Sequence, residues 1–198
     1  MKLYDLSLSG NCHKVRLFAA LTGAPVEIVP VDFLGGEHKS EPLIGMNPFG
    51  EIPVLVDGDV VLRDSQAILV YLARKHGGDA WLPTAAEPLA RVMQWLSTAA
   101  NNVQHGPADA RLIDKFGYAL DKAHALRVSA QLLAILDAHL ATRDWLELGR
   151  PTIADIAVFP YVALAPEGGV SLEPWPNVRA WIGRIKALPG FVGMPGIE

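Results

Sequence analysis

The dipeptide Asp64-Ser65 stands directly before a helical run, Gln66 to His76. A serine that caps a helix brings its hydroxyl and the first unpaired backbone N–H groups to one spot, which suits a carboxylate. Asp64 beside it can pair with an ammonium. Together they make a receptor for the head of an α-amino acid; the alternative is an ordinary helix cap next to a surface acid. Upstream, Ile52-Pro53 precedes a β-like run. A cis bond there turns the Ile52 N–H and C=O outward, where an extended peptide can pair with them. The same dipeptide also serves as a rigid strand-entry turn. His38-Lys39, in a Gly-rich loop, suits a second carboxylate, although charges in loops are usually just solvated. Amino-acid head, peptide middle and carboxylate tail together describe a short acidic peptide as ligand.

The elements that must position these residues fall into two textures. From Met1 to His76, β-like and helical runs alternate. Lys2–Leu6 reads as a strand, Asn11–Leu21 as a helix with apolar Val15, Phe18 and Leu21, and Glu27–Val31 as a second strand. Val54–Leu62 holds two β-branched runs around Asp57-Gly58, a tight-hairpin signal because glycine accepts positive φ. Ser65 caps the next helix and Gly77-Gly78 ends it. A β-α-β unit followed by β-β-α predicts a four-stranded mixed sheet with helices on its faces.

Residues 77–87 read as a linker and 88–198 as all-helical. Leu89, Val92, Trp95 and Leu96 give one helix-period stripe; Leu126, Leu133, Leu136 and Leu140 give another. Thr152-Ile153-Ala154-Asp155 has the spacing of a capping box. Pro176 opens a last helix through Trp181 and Ile185, closed by Pro189-Gly190.

Bulk composition bounds the function. With 198 residues, 51% hydrophobic and 19% charged, the chain can bury a sizeable core. A net charge of -4 without a basic run argues against nucleic acid as partner. No apolar run reaches the roughly 18–20 residues of a membrane span, and no signal peptide is read at the N-terminus, so a cytoplasmic protein without a membrane partner is expected. The single cysteine, Cys12, excludes an intramolecular disulfide.

Asn47–Leu55, Asp64-Ser65-Gln66-Ala67-Ile68, the Gly36-Glu37-His38-Lys39 loop and the Gly149–Asp155 box, in this order, resemble the cytosolic glutathione transferases. The similarity covers essentially the whole chain and is closest to the phi and theta classes and their bacterial relatives. It implies a thioredoxin-like α/β N-terminal domain, residues 1–76, and an all-α domain, residues 88–198. It implies glutathione as co-substrate, with no further cofactor and no metal. The γ-glutamyl head falls at Asp64 and Ser65, the cysteinyl backbone at Ile52-Pro53, and the glycyl carboxylate near His38 and Lys39. Asp64 departs from the glutamate of many members. A homodimer and a part in detoxification are the family's expectation.

In the phi and theta classes the catalytic serine lies six residues before a valine of the first helix, a spacing that Ser9 and Val15 keep. Ser9 is therefore the expected thiolate donor, with Asn11 as helper; its other reading is a plain helix cap. Cys12, three positions later, reads as a small buried hydrophobe. A serine-type site favours adding the glutathione thiolate to a small hydrophobic electrophile or a peroxide. The electrophile pocket is expected between the domains, with Trp95, Asn102, His105 and Arg111 as candidates; core packing for Trp95 and a surface position for the others are the alternatives. The other functions weighed are a non-catalytic interaction module and a glutathione-dependent isomerase or dehalogenase.

Overall fold

A computed structural model describes the whole chain, Met1–Glu198. Strand β1 (Lys2–Asp5) leads into helix α1 (Gly10–Thr22) and back to β2 (Glu27–Pro30), which lies parallel to β1. A turn of 3-10 helix, Glu37–Lys39, and the short helix α2 (Leu43–Met46) carry the chain to β3 (Val54–Asp57). β3 runs antiparallel to both β1 and β4 (Val60–Arg63), giving one mixed sheet in the order β2-β1-β3-β4. Asp57 pairs with Val60, so the two-residue hairpin loop is Gly58-Asp59, with Gly58 at φ 61°. The turn thus sits one residue later than the Asp57-Gly58 pattern suggests.

Helix α3 (Ser65–Leu72) runs on as a π-helical turn, Ala73–Gly77, and the path breaks at Gly78, φ 63°, as the Gly77-Gly78 pair predicts; the single turn α4 (Gly78–Trp81) follows. The segment read as a linker is therefore partly helical. Helix α5 (Ala86–Thr98) already contains Pro88, in the first turn where a missing N–H removes no helical bond. A π-helical stretch, Ala99–Ala108, joins α5 to α6 (Asp109–Phe116). Then follow α7 (Lys122–Leu140), α8 (Ile153–Ala163) and α9 (Pro176–Lys186).

Helix α8 is buried on every side from Ile153 to Val162, as a helix apolar all round must be. It packs against α1, α3, α5 and α9, and so ties the sheet-bearing half to the helical half. Its start is a complete capping box. Thr152 accepts from the Ala154 N–H, and Asp155 accepts from the Thr152 N–H, the Leu146 N–H and the Trp181 indole.

The stripe on α7 is rotated from the one read in sequence. Leu126 is 38% exposed, and the buried face is Ala125, Ser129, Leu132, Leu133, Leu136 and Leu140. Gly106 of the π stretch explains the rotation. A Cβ there would meet Ser129 N at 3.1 Å, so the two backbones approach closely and need small side chains between them. Ala125 and Ser129 meet that need, and Leu126 turns to solvent.

Candidate functional site

A cleft of about 1090 Å³ lies between the two halves. Its sheet-side wall contains Ser9, Asn11, His38, Lys39, Ile52, Pro53, Asp64 and Ser65. Its helical wall contains His105 and Arg111, with Ala100, Gln104, Leu112, Lys115, Phe116, Tyr118 and Tyr161. Ten of the candidates read from sequence thus share one cavity.

Two do not. Trp95 is turned away: its Nε1 donates to Glu147 at 3.1 Å and its ring meets His139 edge-on at 5.0 Å. Asn102 is exposed and lines no part of the cleft. Ala100, Gln104 and His105 share the inward side of the helical path, and Asn102 falls between them on the other side.

At the junction of β4 and α3 the cap is Asp64, not Ser65. Asp64 Oδ1 accepts from the N–H groups of Gln66 and Ala67, at 3.0 and 2.9 Å. Its φ of 75° is a positive value that a non-glycine residue rarely adopts, a local strain of the kind that gathers at binding sites. Asp64 is exposed, and its Oδ2 accepts no bond within the protein, so that oxygen is available to an ammonium. Ser65 occupies the first helical position, 3% exposed, with its hydroxyl held by the Gln66 amide oxygen.

Asn11 is oriented by a buried lysine of the same helix. Lys14 is 1% exposed, and its ammonium donates to Asn11 Oδ1 at 2.8 Å. Ammonium is donor-only, so it fixes the amide oxygen on its own side. The Asn11 Nδ2 group is left as the free donor of a residue that lines the cleft. Burial pushes the Lys14 pKa down to about 8, with the Asp64 charge opposing.

Ser9 caps α1, accepting the Cys12 N–H at 3.2 Å in an extended conformation, φ -82° and ψ 121°. Accepting that bond leaves its own hydroxyl proton free to donate. The positive end of a thirteen-residue helix therefore faces the cleft beside a hydroxyl donor. Cys12 is fully buried, and burial, with the nearby Asp5 charge, pushes its thiol up to about 12. Its burial and that shift both disfavour a thiolate at this position.

Tyr161 of α8 was not read from sequence as a site residue. It stands against Gly10, whose missing Cβ would lie 2.8 Å from the ring. Burial pushes its phenol up to about 12, against the Arg111 charge and the nearby Ser9 and Asn11 groups. It therefore remains a protonated hydroxyl beside Ser9. Nothing in the apolar run Ile153–Ala163 signals that one tyrosine reaches the cleft.

The Ile52–Pro53 bond is cis, and both residues line the cavity. The Ile52 N–H and C=O take no part in the backbone pairing of the sheet, which starts at Val54. His38 is not a free loop charge: its ring stacks on Phe33 at 3.9 Å and 11°, leaving it 6% exposed. Burial and the adjacent Lys39 push its pKa below the ordinary histidine value, so Lys39 supplies the charge there and His38 an imidazole. On the helical wall, Arg111 is 1% exposed; its Nε donates to Glu167 at 2.5 Å and its Nη1 to the Leu8 carbonyl at 3.0 Å. That pair ties α6 to the loop that carries Ser9.

Residues 1–74 match the family model described as glutathione S-transferase, N-terminal domain, and residues 113–189 the one described as glutathione S-transferase, C-terminal domain. Among curated proteins, Glutathione S-transferase 3 of Zea mays is 36% identical, covering 96% of this chain and 91% of its own. Among solved structures, a glutathione S-transferase from Pseudomonas fluorescens superposes with a TM-score of 0.91 at 32% identity, covering 98% of each chain. Human glutathione transferase theta-2, solved in complex with glutathione and an unknown ligand, superposes at 0.85 with 29% identity, over 94% of this chain and 81% of the other. A chain that carries both domain models and is similar to such relatives along nearly its whole length belongs to the glutathione S-transferase family.

Proposed function

We propose that the protein binds glutathione along the sheet-side wall of the cleft and adds its thiolate to a small hydrophobic electrophile, or reduces a peroxide with it. The γ-glutamyl ammonium pairs with Asp64, and its carboxylate lies at Ser65 and the start of α3. The cysteinyl backbone pairs with the Ile52 N–H and C=O, and the glycyl carboxylate lies near Lys39 and His38. The thiol then comes to Ser9 and Asn11. A free thiol has pKa about 8.5, so only a few per cent is ionised at pH 7. Two fixed donors and a helix N-terminus lower that value by stabilising the anion.

The observation that carries this reading is convergence. Ser9, Ile52-Pro53 and Asp64-Ser65, separated in sequence, line one cleft that the helical half closes with Leu112, Phe116 and Tyr118. The structure of human theta-2 with glutathione supports the same ligand here. Work in the cytoplasm as a homodimer, without a further cofactor and as part of detoxification, completes the proposal. No helix is long and apolar enough to cross a membrane.

The test is retention on immobilised glutathione followed by turnover of chlorodinitrobenzene. Retention with turnover is expected. Failure to bind would leave the interaction-module reading, and binding without turnover would favour an isomerase.

A further inference from the structure

The helical wall of the cleft carries more positive charge than its own partners neutralise. Arg111 and Lys115 both line the cavity, and both bind the same carboxylate, Glu167, at 2.5 Å each. Two cations therefore share one anion. The other acid of α6 near them, Asp114, is taken by Lys122 at 2.6 Å. Arg111 Nε goes to Glu167 and Nη1 to the Leu8 carbonyl, while Nη2 is buried with no acceptor. An unpaired donor on a buried cation is costly, and a ligand anion is the partner that relieves it.

The acids that line the cleft, Glu51 and Asp64, lie in the segment assigned above to glutathione. No acid faces the cavity from the helical wall. Around Arg111 that wall is apolar and aromatic: the guanidinium sits over the Phe116 ring at 5.2 Å, and Leu112 and Tyr118 line the cavity nearby. One positive charge in excess, one guanidinium arm without an acceptor and an aromatic surround suit an aryl group with a single anionic substituent.

The geometry points to a second substrate that is an aromatic electrophile bearing a carboxylate, held by Arg111 with its reactive carbon toward Ser9. The inference rests on the transferase reading and narrows its substrate class. In the step itself the glutathione sulfur forms a bond to the aryl carbon. The carbon–halogen bond breaks with its electron pair, and halide leaves. The thiol proton has gone to solvent beforehand. Arg111 anchors the carboxylate and takes no part in the bond changes.

The test compares chlorodinitrobenzoate, chlorine para to the carboxylate, with chlorodinitrobenzamide of the same substitution. Each kcat/KM is divided by the uncatalysed rate with glutathione, which removes the difference in ring activation. The normalised ratio of acid to amide should be about tenfold or more in the wild-type protein, as a charge-assisted hydrogen bond gives. Arg111→Gln should collapse it toward one. Glu167→Gln, which frees the guanidinium from its internal anion, should raise it. A wild-type ratio near or below one overturns the proposal whether or not the variants fold, and so does an unchanged ratio in a folded Arg111→Gln protein. Equal turnover of both compounds defeats the anion site alone; turnover of neither, with no retention on immobilised glutathione, defeats the transferase reading beneath it.

Discussion

Replacing Ser9 with alanine removes two interactions that the geometry separates. The first is the helix cap. The Ser9 hydroxyl accepts the Cys12 N–H, and its loss should lower stability by about 0.5–2 kcal/mol. The second is the hydrogen bond proposed above from the free hydroxyl proton to the glutathione sulfur. A bond to a charged group contributes about 1.5–3 kcal/mol, which corresponds to roughly one to two pKa units on the thiol. At pH 7, below the thiol pKa of the variant, kcat/KM for chlorodinitrobenzene should therefore fall about tenfold to a hundredfold. Affinity for glutathione should change little, because the proposed contacts at Ile52, Asp64 and Ser65 are left in place. The assay is the ultraviolet absorbance of the bound thiolate against pH, read beside kcat/KM over the same range. The thiol pKa should rise by the stated amount, and activity should recover toward alkaline pH. Cys12→Ala is the control. With its thiol at about 12, Cys12 is ionised to only about one part in a hundred thousand at pH 7. Full turnover by Ser9→Ala, with Cys12→Ala inactive, would refute the assignment. A melting shift in Ser9→Ala with an unmoved thiol pKa would reduce Ser9 to a cap.

Asp155→Ala should destabilise the fold by about 3–6 kcal/mol in chemical denaturation, since it strands four buried donors: the Thr152 N–H and hydroxyl, the Leu146 N–H and the Trp181 indole. Thr152→Ala should cost about 1 kcal/mol, with saturated activity of the folded protein unchanged. Lys14 gives a pH dependence with a definite sign. Its pKa is about 8 folded and about 10.4 unfolded, so the unfolded chain holds more protons between those values. Stability should rise with pH across that window by about 3 kcal/mol, and Lys14→Met should flatten the rise; a wild-type curve already flat there would place the Lys14 ammonium in contact with solvent.

The legible parts of this chain are those whose signal is local. Glycine at the hairpin, proline before β3 and the Thr152-to-Asp155 box each act on backbone within a few residues; the proline bond and the box lie where their patterns put them, and the hairpin turn is displaced by one residue only. Asp64 shows where local reading slips. Serine and aspartate are comparable caps, and in the fold the Asp64 carboxylate takes the Gln66 and Ala67 N–H groups, one residue before the serine. Leu126 shows a different limit. Its phase on α7 depends on Gly106 lying against Ser129, a contact between helices that periodicity within α7 does not contain.

The sheet-side wall of the cleft is for the same reason more readable than the helical wall, where only His105 and Arg111 of the four candidates line the cavity. Ile52, Pro53, Asp64 and Ser65 belong to one hairpin and its flanks, so a single stretch of chain carries both the receptor groups and the turns that aim them. Around Arg111 the parts come from three distant places: Leu8 before α1, Arg111 on α6, and Glu167 after α8. None has a motif of its own. An arginine on a helix reads as a surface charge until packing buries it, and a glutamate in a loop reads as solvated until it is shared by two cations. Lys14 and Tyr161 are the same case beside Ser9, since a buried lysine and a tyrosine in an apolar helix become functional candidates only when α1 and α8 meet. Chemistry that one segment carries can be read from that segment; chemistry assembled by packing needs the fold. The choice of second substrate therefore rests on contacts between helices and loops that lie far apart in the chain.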